Sequence, residues 1–195
     1  MTATAVVTGS AARVDDVTQA LARRGICAVA MPRGLAHAGA AFEAGTLEYY
    51  VQLPDDVASP GAGRASAVAA LLERGLVSRF CEVEALLPKL APTCAVVLVT
   101  GETVEDLPWP TSVDYPHAPT CVLEMLADAI MTDLSPSPVR ATVVSHRHSA
   151  DQIAAIALAS GPRRAAEVAR YAERAPEMSF DDWRLACLST TGPEG

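Results

Sequence analysis

Apolar residues along the chain fall into two kinds of pattern. Short unbroken runs stand at Ala3–Thr8 (ATAVVT), Ile26–Met31 (ICAVAM), Leu47–Leu53 (LEYYVQL), Ala95–Val99 (AVVLV) and Arg140–Val144 (RATVV). Between them, apolar positions recur every three to four residues over Val14–Arg24, Arg64–Arg74, Leu76–Leu90, Thr120–Leu134 and Asp151–Ala159. Unbroken runs suit strands buried on both faces, and the longer period suits helices with one packed side. Their alternation predicts βαβ units with right-handed crossovers, hence a single α/β domain around a doubly wound parallel sheet.

Turn chemistry punctuates these elements. Gly25 stands where a helix C′ residue belongs, and Pro54 stops the LEYYVQL run. Pro54–Gly63 is a Pro/Gly/Asp turn region, and Gly75 separates two helical stretches. Pro92 closes the second of them and leads into the central strand. Gly161-Pro162 ends the Asp151–Ala159 helix. The reading therefore divides the chain into a sheet domain over residues 1–161 and an extension over 162–195. The extension is predicted as a charged helix, Arg163–Arg174, then a short helix capped by Ser179 and reaching Leu188, with a disordered end.

Composition narrows the class. Half of the 195 residues are hydrophobic and 19% are charged, as in a well-packed globule. No apolar run reaches the roughly 18 residues of a membrane span, and the first residues lack the pattern of a signal peptide. A cytoplasmic protein without a membrane partner is expected. A net charge of −8 and a pI near 4.9 exclude the basic footprint that nucleic acid requires. The five cysteines are widely spaced without a CxxC pair, and Cys27, Cys94 and Cys121, inside apolar runs, are expected as reduced, buried thiols. Lys89 is the only lysine, and asparagine is absent.

The order of elements carries a resemblance. VVTG at Val6–Gly9 followed by ALARRGICAVAMPR at Ala20–Arg33 resembles the opening of the short-chain dehydrogenases/reductases. EALLPKLAPTCAVVLVTG at Glu84–Gly101, TCVLEMLADAIMTDLSPSPVRATVV at Thr120–Val144 and the late helix DQIAAIALAS extend it over about 150 residues. The resemblance implies a Rossmann-like fold, shortened by about one strand–helix unit, with the strand between Leu53 and Leu76 deleted.

The family's chemistry does not follow. Its first turn is TGxxxGxG, whose glycines let backbone approach a dinucleotide pyrophosphate at a helix N-terminus. Here TGSAARVD keeps Gly9 but places Arg13 and Asp15 at the next two glycine positions. Gly9, Ser10, Arg13 and Arg33 are the candidate cofactor contacts, Arg13 as a phosphate partner. The family also sets a Tyr four residues before a Lys, so that the ammonium lowers the phenol pKa. Apolar spacing puts Pro116 and Thr120 at those positions, and moving Tyr115 into register puts Pro119 at the lysine position. No Tyr-x-x-x-Lys occurs in the chain. Thr100 stands near the family's serine and, with Tyr115 and His117, forms the set of candidate catalytic residues.

Other constellations are weaker. His146-Arg147-His148 with Asp151 offers metal ligands, but two His at this spacing suit a loop before a helix as well. No metal is expected. Asp55-Asp56 and Asp181-Asp182 fall in a turn or a helix's first turn, where they complement the dipole.

The resemblance implies a degenerate relative, a pseudoenzyme without NAD(P) that acts as a homodimer or as the partner of an active paralogue. Contact would run through helices 76–90 and 120–134, with Leu123, Leu126 and Ile130 on one face and Leu76, Val77, Phe80, Val83 and Leu87 on the other. The alternatives are an NAD(P)-dependent oxidoreductase with an altered site and a small-molecule binding protein.

Overall fold

The computed structural model describes residues 4–9, 11–31, 42–54, 73–101, 118–134 and 139–161. Five strands form one parallel sheet: β1 (Thr4–Thr8), β2 (Cys27–Met31), β3 (Leu47–Gln52), β4 (Leu90–Val99) and β5 (Arg140–Val144). The described α-helices are α1 (Ala11–Ala22), α2 (Ser78–Leu86), α3 (Ala118–Asp133) and α4 (Ala150–Ser160). The strand order is β2-β1-β3-β4-β5, with every pairing parallel. This is a Rossmann-like, doubly wound α/β fold, and its order reverses between β1 and β3.

Alternation along the strands sends successive side chains to opposite faces. Ala5, Val7, Tyr49, Val51, Ala95, Val97 and Val99 join a core with Val14, Val17 and Leu21 of α1 and Ile153, Ala154 and Ala157 of α4. Val6, Tyr50, Cys94, Val96 and Leu98 join the other core, with Val83 and Leu86 of α2 and Leu123, Leu126 and Ile130 of α3. The apolar stripe read from 120–134 therefore packs on the sheet of its own chain.

Helix α1 ends as expected. Gly25 has φ +77°, its N–H bonds the Ala22 carbonyl at 2.9 Å, and Ile26 N–H reaches the Leu21 carbonyl at 3.2 Å. That pair of bonds is a Schellman motif, which satisfies two terminal carbonyls. Helix α4 starts from a capping box: Ser149 Oγ accepts from Gln152 N at 3.2 Å while Gln152 Oε1 accepts from Ser149 N at 2.8 Å.

Three expectations change. The 76–90 helix is a π-turn (Glu73–Val77), α2, and a 3-10 turn (Leu87–Lys89) in succession. The central strand begins at Leu90 rather than Ala95, and its pairing with β3 slips between Leu47 and Tyr49. Exposed Pro92 sits within that irregular part, where a missing N–H is tolerated. Cys94 is buried, and burial pushes its thiol above the ordinary cysteine range. Cys27 and Cys121 are exposed instead, the first on edge strand β2 and the second on the outward side of α3. The strand deletion read between Leu53 and Leu76 falls almost wholly outside the described residues. Leu47–Gln52 itself lies between β1 and β4, bonded to both.

Candidate functional site

An open α/β sheet binds ligands at the carboxyl ends of its strands, at the point where strand order reverses. Here that point is Thr8-Gly9 at the end of β1 and Gln52-Leu53 at the end of β3. Thr8 and Gln52 are register partners, and Leu53 N–H continues the ladder to the Thr8 carbonyl at 2.9 Å.

Gly9 turns the chain there with φ +123°. A Cβ at this position would lie 2.5 Å from the Leu53 carbonyl oxygen and 2.8 Å from Leu53 Cβ. A neighbouring strand therefore demands this glycine, whatever binds above it. Arg13, in the first turn of α1, donates from Nη2 to the His148 carbonyl at 2.8 Å. The guanidinium read as a phosphate partner ties α1 to the loop before α4. His148 Nδ1 lies 3.0 Å from the Ser145 carbonyl, so the loop closes on itself as well.

Thr100 continues β4, with its N–H on the Val144 carbonyl at 2.8 Å. Its Oγ1 accepts from His146 N at 3.1 Å, and the residue is buried. The candidate catalytic hydroxyl is thus a clamp between the ends of β4 and β5. Ser10, Arg33, Tyr115 and His117 lie outside the described residues. Among the described residues no group of three His, Cys, Asp or Glu side chains is placed to hold a metal. Lys89 sits at the start of β4, on the opposite edge of the sheet. The strand's ten residues put it on the order of 30 Å from Thr100, at about 3.3 Å per residue.

The sequence reading missed a polar cluster on the α2 side of the reversal point. Thr8 Oγ1 and Gln52 Nε2 each donate to Glu82 Oε2 at 3.0 Å. Arg79 Nε donates to Gln52 Oε1 at 2.9 Å, and Gln52 Nε2 returns a bond to the Arg79 carbonyl at 3.0 Å. Thr8, Gln52 and Arg79 are all buried. The signal was present: Arg79 shares a helical stripe with Val83 and Leu86, so a cation falls on an apolar face. The Tyr50 hydroxyl is buried beside Thr8 and Gln52 of this cluster without a well-formed hydrogen bond. Burial, and then the Glu82 charge, raise the Tyr50 phenol far above the ordinary tyrosine range. Thr8, Arg79 and Gln52 oppose that shift more weakly. The phenol is neutral at any physiological pH. The cluster fastens α2 to the sheet.

Comparison with known proteins gives one consistent answer at the level of fold. No sequence-family profile and no curated protein matches the chain. Among solved structures, a doubly substituted variant of a Serratia marcescens short-chain dehydrogenase/reductase aligns with a TM-score of 0.62 at 14% identity, covering 83% of this chain and 90% of that one. The short-chain dehydrogenase/reductase from Serratia marcescens BCRC 10948 aligns with a TM-score of 0.56, again at 14% identity, over 83% and 91%. A Corynebacterium glutamicum protein described as a short-chain dehydrogenase/reductase reaches 0.50 at 19% identity, over 78% and 88%. The chain has the fold of these proteins.

Proposed function

We propose that this chain is a non-catalytic relative of the short-chain dehydrogenases/reductases that acts by association with another protein chain. The observation that carries the reading is the position of Lys89, the only lysine in the chain, at the edge of the sheet away from Thr100. No lysine ammonium can lower a phenol pKa at the ligand edge. The remaining described candidates fit that reading, since Gly9, Arg13 and Thr100 each serve a packing or hydrogen-bonding role within the fold. Association is supported by apolar surface on one side of the sheet: Val77, Phe80, Met125 and Met131 are exposed there at 57%, 39%, 70% and 36%.

The test is turnover. Purified protein is incubated with NADH or NADPH and a panel of aldehydes, ketones and quinones, and cofactor oxidation is followed. The reading predicts no oxidation above the protein-free rate. Oxidation that scales with protein and disappears in Tyr115→Phe supports the altered-site oxidoreductase instead.

A further inference from the structure

The outward side of α2 and α3 combines exposed apolar side chains with charge of a single sign. Helix α2 contains Glu82 and Glu84, and its one basic residue, Arg79, is buried in the polar cluster. Helix α3 contains Glu124, Asp128 and Asp133 and no basic residue. Glu84, Glu124, Asp128 and Asp133 are all exposed. By helical spacing Glu84 neighbours Phe80, four residues before it, and Asp128 neighbours both Met125 and Met131, three residues to either side, so each helix sets acid beside its exposed apolar side chains.

We infer that this surface docks a partner with an apolar stripe rimmed by lysine or arginine, and rejects a second copy of this chain. The inference rests on the association reading above and names the partner's chemistry. A two-fold dimer through this face would bring each acidic rim against itself, because such an interface uses the same patch twice. Like charges set against each other across an interface disfavour the pairing. At physiological salt the screening length is about 8 Å, so rim charges in contact across an interface still repel. A basic rim turns the same charges into attraction and speeds encounter. The apolar centre then supplies the burial.

The experiment uses the full chain and a defined probe, an amphipathic helical peptide of Leu and Lys with one apolar stripe, beside its Leu/Glu counterpart. Sedimentation of the protein alone should give one chain's mass at low and at physiological salt. Calorimetry should show binding of the Lys peptide that weakens as salt rises, and no binding of the Glu peptide. The double variant Glu124→Lys/Asp128→Lys should bind the Lys peptide at least tenfold more weakly. Asp15→Lys/Asp16→Lys, with both acids exposed on α1, which packs on the other face of the sheet, should bind it as the wild type does. Equal loss in both double variants, or no loss in the first, overturns the inference by reducing the binding to net charge. A wild-type dimer that Met125→Ser/Phe80→Ser dissociates also overturns it, while leaving the association reading intact. Monomers that bind neither peptide, yet oxidise NADPH with a carbonyl substrate, overturn both.

Discussion

Helices α1 and α4 cover one face of the sheet with an apolar core and show no exposed large hydrophobic side chain of their own. Helices α2 and α3 cover the other face, built on the same strands, but the result differs. A glutamine, an arginine and a tyrosine hydroxyl are buried beneath α2, while phenylalanine and methionine side chains stand on the outside of the layer. The first face departs from an apolar core at the Thr18 hydroxyl of α1, buried without a partner. The second departs further, with a buried Gln52–Arg79 pair inside and large apolar groups outside, and departures of that kind concentrate where a protein works. The association proposed above would use this second face.

Mutations at the seam and on the two faces should separate these roles. Gly9→Ala adds a Cβ to a positive-φ residue packed against the Leu53 carbonyl, so it should cost about 4 kcal/mol or prevent folding. Recovery of soluble protein with an unshifted urea midpoint would contradict the packing account. Arg79→Met should cost about 3 kcal/mol, because Gln52 Oε1 loses its donor in a buried site. In a double-mutant cycle, Gln52→Leu/Arg79→Met should lose less than the two single changes combined. Strict additivity would mean that the pair does not act as a unit.

The faces themselves can be compared with one residue from each. Ile153→Ala, fully buried under α4, should cost about 3 kcal/mol, and Met125→Ala on α3 less than about 0.5 kcal/mol. Thermal unfolding of the isolated chain reads both, and a large loss at Met125 would mean that it packs within the chain. Tyr50→Phe removes a buried hydroxyl without a well-formed hydrogen bond, so stability should hold or rise by about 1 kcal/mol. The smallest expected effect is at Asp151. Bonds from Arg24 and then Arg23 draw its carboxyl below the usual aspartate range. A depressed folded-state pKa means that the contribution is present at neutral pH and is lost on acidification through the folded value. Thermal scans from neutral to acid pH should fall slightly less steeply in Asp151→Asn than in the wild type.

Much of this architecture is legible in the sequence because strand and helix periods are local. The runs at Val6, Val29, Val51, Val97 and Val143 each became strands in parallel register, and Gly25 ended α1 with the bonds its position implied. What periodicity could not give was direction. Cys27 and Cys121 lie in apolar stretches, yet one is on an edge strand and the other on the outside of a helix. Leu123, Leu126 and Ile130 were read as a face for a partner, and the sheet takes them. The polar cluster joins residues 74 positions apart, Thr8 and Glu82. Only Arg79 on the apolar stripe of α2 hinted at it. At the ligand edge the glycine of TGSAARVD was visible at once, but its reason, the Leu53 carbonyl, depends on which strand lies beside β1.

The proposal's central claim is that the ligand edge of this chain does not bind a dinucleotide. Calorimetric titration of the full chain with NADH and with NADPH tests it most directly. The account predicts no heat of binding up to millimolar ligand. Micromolar binding of either cofactor, lost in Arg13→Ala, would contradict it.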